Sequence, residues 1–208
     1  IPNAGNDQTV CGDITSVSLT GTVSHATGGT WSTSGTGTFS PSNATLITNY
    51  IPSSADTTAG FVTLTLTSAG NGTCNAYTDE VTINFTNAPT VEAGSDITTC
   101  KDIASVNLSG SVTTATGGNW TTSGTGTFNP NSSTLITDYI PSTADTTAGT
   151  VTLTLTTTGN GTCNAYADIV TITLTDIPTV HAGNDQTICA DATGAFLGGA
   201  VTIATGGI

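Results

Sequence analysis

The stretch that decides the fold is FVTLTLT, residues 61–67, in which apolar and polar side chains alternate. Val62, Leu64 and Leu66 fall on one face of an extended segment, and the intervening threonines fall on the other. Threonine suits a solvated strand face because it is both β-branched and polar. The pattern predicts a β-strand with one face in a core and the other in water.

The same period of two extends over the neighbouring segments. VTINFT, residues 81–86, and SVSLTGTV, residues 16–23, repeat the alternation. Further strands are predicted in four other segments, residues 8–11, 30–33, 36–40 and 45–51. Glycine-rich turns separate them. The one helical segment is a single turn within SADTTAG, residues 54–60, where Asp56 is expected to cap the turn by accepting a backbone N–H.

The whole pattern recurs after 89 residues, since Cys11 aligns with Cys100 and Cys189, and Cys74 aligns with Cys163. This period predicts a first repeat at residues 1–88, a second at 89–177 and the N-terminal part of a truncated third at 178–208. About seven short strands and one tryptophan in about 90 residues are typical of an immunoglobulin-like β-sandwich. A β-solenoid is the rival interpretation, but its period is about 20 to 50 residues.

The five cysteines predict disulfides inside the repeats. Cys11 and Cys74 are 63 positions apart, as are Cys100 and Cys163, so the simplest pairing joins each of these two pairs. Cys189 would then find its partner beyond the end of this chain. Buried free thiols are the alternative. Disulfides imply an oxidising, extracytoplasmic setting, and each would shield the residues between its cysteines from a force applied at the ends of the repeat.

The charge balance excludes several partners. The chain has 14 acidic residues, one Lys or Arg residue (Lys101) and a formal net charge of -13. Nucleic-acid binding needs several cations against phosphates, so that partner is excluded. Anionic membrane surfaces are disfavoured for the same reason, and no apolar run in these residues is long enough for membrane insertion.

No residue set in the sequence predicts catalysis. His25 and His181 are not kept from one repeat to the next, so no shared site depends on them, and we expect no enzymatic activity and no cofactor. Calcium is a weaker alternative to plain turn and cap roles for six recurring carboxylates. These are Asp7, Asp13, Asp79, Asp96, Asp102 and Asp168.

Aromatic side chains offer a second binding hypothesis. Trp31 and Trp120, with the four tyrosines, would form a sugar-stacking surface if they were exposed. A tryptophan on a central strand of a sandwich belongs more often to the core. The sequence therefore favours a core role for both tryptophans.

The ordered motifs resemble a known repeat family. AGNDQTVC, residues 4–11, and the run from ATGGTW to DEVTI, residues 26–83, are similar to PKD-like or immunoglobulin-like tandem repeats of giant cell-surface adhesins of gliding Bacteroidota, which are cargo of the type IX secretion system. The resemblance implies a bacterial outer-surface localisation and a role in gliding motility. It also implies O-glycosylation at Thr57 and Thr146, since each follows an aspartate as in the glycosylation signal of that phylum.

The resulting hypothesis is a structural stalk or filament that spaces or presents the adhesive region of a large surface protein. Its partners would be neighbouring repeats of the same chain, with surface polysaccharide or other cells as further candidates. The alternatives are an extracellular carbohydrate-binding module and the spacer of a surface-displayed enzyme.

Overall fold

The regular secondary structure is almost wholly β-strand, and a computed structural model describes residues 1–203. The first sequence repeat forms β1 (Pro2–Asn3), β2 (Gln8–Cys11), β3 (Val17–Thr20), β4 (Thr22–Val23), β5 (Gly28–Thr33), β6 (Thr38–Ser40), β7 (Ile47–Ile51), α1 (Ser54–Ala59), β8 (Phe61–Ala69) and β9 (Thr78–Thr86). The second forms β10 (Thr90–Glu92), β11 (Ile97–Cys100), β12 (Val106–Ser109), β13 (Ser111–Thr113), β14 (Gly117–Thr122), β15 (Thr127–Asn129), β16 (Ile136–Ile140), α2 (Thr143–Ala148), β17 (Thr150–Thr158) and β18 (Ala167–Thr175). The third contributes β19 (Thr179–His181) and β20 (Ala200–Thr202).

The described residues form two compact units. Unit 1 comprises residues 1–91, 112–117 and 157–166, and unit 2 comprises residues 92–111, 118–156 and those from 167 onward. Three short segments of the predicted second repeat, residues 89–91, 112–117 and 157–166, therefore belong to unit 1. The domain boundaries after residues 88 and 177 stay predictions.

Unit 1 contains an immunoglobulin-like β-sandwich. One sheet has four strands in the order β2-β9-β8-β5, and the other has three in the order β3-β7-β6. The pairing of β2 with β9 is parallel, whereas β8 pairs antiparallel with both β9 and β5. Seven strands in two sheets confirm the predicted all-β fold and exclude the solenoid.

The core of unit 1 follows the alternation seen in the sequence. Val62, Leu64 and Leu66 are at most 1% exposed, whereas the threonines between them are half-buried. They share one apolar cluster with Trp31 of β5 and with side chains of β3 and β7, so both sheets face the same core. Each fully buried aliphatic side chain contributes about 1.5–3 kcal/mol relative to exposure.

Helix α1 is held by a capping box. Ser53 is the N-cap residue, and its hydroxyl accepts the N–H of Asp56, while the Asp56 carboxylate accepts the N–H of Ser53. Gly60 ends the helix with φ at 82°, a left-handed conformation that favours glycine. Asp56 thus contributes to the cap, but from the third helical position, because the residue before the first turn is the serine.

Unit 2 contains the same sandwich 89 residues later. Its sheets have the orders β11-β18-β17-β14 and β12-β16-β15. In the third repeat β19 pairs with β20, and the described residues from 182 to 199 contain no strand. The strand partner of β2 and of β11 lies late in its own repeat, and the described chain stops before that position in the third repeat. Residues 204–208, which the sequence places in that repeat, lie outside the described residues.

Candidate functional site

One disulfide of unit 1 joins residues that are far apart in the sequence. Cys11 ends β2, and Cys163 lies in the turn between β17 and β18. Their Cα atoms are 4.8 Å apart, and the sequence separation is 152 residues. Cys11 is only 2% exposed. The bond links a cysteine of the first sequence repeat to one of the second, and both cysteines belong to unit 1.

The predicted Cys11–Cys74 disulfide is not the one the structure contains. Because β2 runs parallel to β9, Cys11 lies opposite Thr86, the last residue of β9. Cys74 instead precedes Thr78, the first residue of that strand. A strand of nine residues is about 27 Å long. The two cysteines therefore lie at opposite ends of one sheet and cannot be bridged.

The predicted Cys100–Cys163 disulfide is also wrong, because Cys163 is bonded to Cys11. Cys74, Cys100 and Cys189 are exposed, free cysteines among residues 1–203. That Cys189 is bonded to a cysteine beyond this chain stays a prediction. Sequence spacing failed here because it measures distance along the chain, whereas the parallel strand decides which ends meet.

Polar contacts surround the disulfide. The hydroxyl of Tyr166 donates to the Asp13 carboxylate. The hydroxyls of Thr86 and Thr162 are 3.2 Å apart and hydrogen-bonded. The hydrogen bond to Asp13, followed by desolvation and the negative charge of that carboxylate, raises the pKa of Tyr166 above its usual range. The turn that carries Cys163 is thus bonded covalently to the end of β2, and hydrogen bonds hold it to Asp13, just beyond β2, and to Thr86, at the end of β9.

The disulfide also excludes metal binding by the two cysteines near Asp13. Cys11, Asp13 and Cys163 form the only group of three such side chains within 4.8 Å of one another in the described chain. Both sulfur atoms are oxidised in the bond, so neither is a thiolate, and thiolates are the form in which cysteine binds metals. The arrangement is a cross-link beside a carboxylate.

A buried carboxylate joins separate segments of each sandwich. Asp56 is 3% exposed, and its oxygens accept the N–H of Thr36 at 2.9 Å and of Gly37 at 3.0 Å. The hydroxyl of Tyr50 donates to the same carboxylate at 2.7 Å. With the capping bond from Ser53, one side chain joins the loop before β6, the strand β7 and helix α1. This convergence was not predicted, since its members are scattered over 20 residues.

Hydrogen bonds keep that carboxylate ionised. Burial is the largest influence on the Asp56 pKa and raises it, but the hydrogen bonds from Ser53, Thr36 and Tyr50 together outweigh burial and leave the pKa below its usual value. Burial first, and then the bond to Asp56, raises the pKa of Tyr50. The second repeat has the same arrangement in Asp145 and Tyr139, with the same pKa directions.

The calcium candidates mostly serve backbone groups. Asp7 accepts the N–H of Thr82 at 2.8 Å, and Asp79 accepts that of Ala4 at 2.7 Å. Asp96 and Asp168 do the same in the second repeat, whereas Asp102 is exposed. These bonds fasten the first residues of each repeat to its long strands. Within the described residues no three of the six candidates come together.

The aromatic and threonine candidates are placed as follows. Trp31 and Trp120 are at most 1% exposed, and each indole N–H donates to a backbone carbonyl. The prediction that they belong to the core is confirmed. Thr57 and Thr146 lie on the short helices, half-buried, with hydroxyls that donate to helix carbonyls. Their glycosylation stays a prediction.

Electrostatic contacts are sparse, as the composition requires. Lys101 forms the one ion pair found among residues 1–203, with Asp176 at 2.5 Å. In the part of the chain that the structure describes, no helix is long and apolar enough to cross a membrane. The fold rests on apolar burial, hydrogen bonds and the disulfide.

Comparison with known proteins gives distant structural neighbours only. No protein-family model matches the chain, and no curated protein matches it. Among solved structures, a protocadherin gammaB7 EC3-6 cis-dimer aligns with 15% identity and a TM-score of 0.40, over 86% of this chain and 49% of that one. Drosophila N-cadherin EC1-4 aligns with 14% identity and a TM-score of 0.41, over 84% and 49%. Human Protocadherin-24 EC1-2 aligns with 10% identity and a TM-score of 0.39, over 84% and 99%. The chain thus spans about half the length of the first of these structures.

Proposed function

We propose that this chain is part of the stalk of a large cell-surface adhesin, where its repeats hold an adhesive region at a distance and bear load. In this proposal the protein is exported by type IX secretion and displayed on the outer surface of a gliding bacterium of the Bacteroidota. The region itself is a spacer and not an enzyme. The resemblance of the repeat motifs supports the family and the location.

The disulfide between Cys11 and Cys163 is the observation that carries the proposal. A force applied to the two ends of the chain passes through this bond instead of through the 152 positions that it spans. A disulfide requires an oxidising compartment, in agreement with a location outside the cytoplasm. A net charge of -13 keeps the repeats soluble and mutually repulsive.

The carboxylate and tryptophan side chains that recur in the two repeats have structural partners. The buried carboxylates bind backbone groups and tyrosine hydroxyls, and the tryptophans are in the core. Since both tryptophans are covered, a sugar-stacking surface would have to rely on other aromatic side chains. No contact described above favours carbohydrate binding over spacing.

The length of the particle as a function of repeat number tests the proposal. We would fuse one, two or three copies of residues 90–178 to the N-terminus of the chain and measure each product by small-angle X-ray scattering and negative-stain microscopy. A stalk lengthens by a constant increment of about 30–40 Å per repeat, the length of a nine-residue strand and its turns. Its cross-section stays constant. A radius of gyration that grows as for a single compact body would contradict the proposal.

A matched pair of variants separates the array from its cross-link. In the Cys11→Ser variant the increment per repeat should persist, but the scatter in end-to-end distance should increase relative to that of a Cys189→Ser control. The cysteine in the control is exposed and free in the described chain. Equal scatter in the two variants would contradict a mechanical role for the bond.

A further inference from the structure

The free cysteines of the two complete repeats are counterparts of the bonded ones. Cys74 aligns with Cys163, and Cys100 aligns with Cys11, each at an offset of 89 residues. Cys11 and Cys163 are joined, whereas Cys74 and Cys100 are exposed. One molecule therefore contains one disulfide, and also a free cysteine equivalent to each of its two partners.

The contacts around the closed bond show what each open half has to offer. Cys163 is flanked by Tyr166, which donates to Asp13, and by Thr162, which contacts Thr86. Its sulfur lies 3.7 Å from the Thr86 hydroxyl. The turn of one repeat thus supplies a hydroxyl on each side of its sulfur, and the end of the other supplies a carboxylate and a threonine.

The turn at Cys74 has the same groups, uncovered. Thr73 and Tyr77 correspond to Thr162 and Tyr166, and both are exposed, Tyr77 to 62%. A concave surface beside Cys74 is lined by His25 and Asn71. Its counterpart beside Cys163, lined by residues equivalent to these two, also has Thr86 and Asn87 in its wall. The same turn is therefore occupied in one repeat and open in the other.

The strand end at Cys100 carries the complementary groups. Asp102 corresponds to Asp13 and Thr175 corresponds to Thr86, and both are exposed. The N–H of Lys101 donates to the Thr175 carbonyl, as the N–H of Gly12 donates to that of Thr86, so the cysteine at this end is held next to the final strand in both repeats. The geometry that presents Cys11 to a partner is thus reproduced at Cys100.

We propose that Cys74 and Cys100 form this disulfide with further copies of the repeat, so that each cross-link reaches from one repeat into the next. Cys74 bonds the counterpart of Cys11 in a preceding copy, and Cys100 bonds the counterpart of Cys163 in a following copy. The partner is a repeat of this sequence type. For its meaning in the organism this inference rests on the load-bearing function proposed above.

The bond forms by thiol–disulfide exchange with a small-molecule disulfide such as oxidised glutathione. One cysteine thiolate attacks that disulfide and releases one small thiol, which gives a mixed disulfide. The second cysteine thiolate then displaces the other small thiol and closes the protein bond. Two protein thiols are oxidised by two electrons, and one small disulfide is reduced to two thiols.

An extended chain tests the inference. Residues 120–177 are appended after residue 208, which completes the third repeat and adds one cysteine, the counterpart of Cys163. After oxidation with glutathione, blocking with N-ethylmaleimide and non-reducing peptide mapping, we expect the added cysteine to be linked to Cys100, with Cys11–Cys163 intact as the internal control. A link from the added cysteine to Cys189, or a maleimide adduct on it, would overturn the inference.

Two variants of the extended chain make the result independent of mapping. Cys189→Ser should leave one reactive thiol, at Cys74, whereas Cys100→Ser should leave three, at Cys74, Cys189 and the added cysteine. If the added cysteine pairs inside its own repeat, these two counts are reversed.

A second chain covers the case in which the appended segment does not fold. Residues 90–178, a complete repeat with its own core, are fused to the N-terminus of the chain. The counterpart of Cys100 in that copy should then bond Cys74, so that Cys74 loses its maleimide adduct, and a persistent adduct would overturn the inference. Force and length measurements test load bearing, whereas these maps test the bond, so either proposal can fail alone.

Discussion

Stretching the oxidised chain by its two ends tests the disulfide quantitatively. An unfolded chain spans about 3.4 Å per residue, so the 208 residues correspond to about 700 Å. The Cys11–Cys163 bond removes 152 positions from that length, or about 520 Å. We therefore expect the oxidised chain, fully unfolded by force, to reach about 190 Å.

The pairing expected from the sequence gives a different length. Bonds Cys11–Cys74 and Cys100–Cys163 would each remove 63 positions and would leave about 280 Å. Optical tweezers resolve this difference of about 90 Å. Free thiols are first blocked with N-ethylmaleimide, and addition of a reductant should then extend the limit to about 700 Å.

Matched variants complete the stretching experiment. Cys74→Ser should leave the oxidised limit at about 190 Å, and Cys163→Ser should give the full length of about 700 Å without reductant. An oxidised limit near 280 Å, or a longer limit in Cys74→Ser than in the unchanged chain, would refute the assignment of the bond.

Three further predictions concern the buried carboxylate. Asp56→Asn should lower the free energy of unfolding of the first sandwich by about 2–4 kcal/mol in a urea titration, because at least one buried donor loses its acceptor. Asp7→Asn is the control, since Asp7 is exposed and has one backbone partner, and it should lower that free energy by under about 1 kcal/mol. The pKa of Asp56 is lower in the folded protein than in the unfolded chain, so the ionised carboxylate stabilises the fold above about pH 4, and this stabilisation is lost as the pH falls through the folded value. The urea midpoint of the unchanged chain should therefore decline below about pH 4, and that of Asp56→Asn should decline less steeply. Equal dependence of the two midpoints on pH would contradict this. Gly35→Ala should destabilise the first sandwich by about 1–3 kcal/mol, since an added Cβ would lie 2.0 Å from the Asp56 carboxylate. Gly28→Ala is the control, because a Cβ there meets nothing within 4 Å. Equal thermal midpoints of the two variants would contradict the predicted clash at Gly35.

The sandwich was predictable because each of its strands has a pattern of apolar and polar residues within its own few residues. Val62, Leu64 and Leu66 alternate with threonines whether or not their partners are known, and the structure buries the three of them. The tryptophan at residue 31 was expected in the core because it lies on a predicted central strand of the sandwich. An alternation of period two with the apolar face inward identifies a strand without any knowledge of the strand beside it.

The pairing of the cysteines and the convergence of hydrogen bonds on Asp56 were not predictable in this way. Cys11 has two candidate partners of the same sequence type, Cys74 and Cys163, and only the parallel register of β2 with β9 shows which of them is within reach. The available signal was the position of Cys11 at the end of an early predicted strand, residues 8–11, whereas Cys74 precedes the last predicted strand, residues 81–86. Asp56 depends on donors from three separate segments, and no local pattern reports that they converge.

The span of the disulfide has a consequence for proteolysis. A protease that cuts the backbone once between residues 12 and 162 leaves both pieces in a single covalent molecule, since the sulfur bridge encloses the cut. Lys101, the sole Lys or Arg residue and hence the sole site for trypsin, lies within that range. A protein displayed among secreted hydrolases would thus survive a nick without being severed, and its broken ends would stay attached until the sulfur bridge itself is reduced.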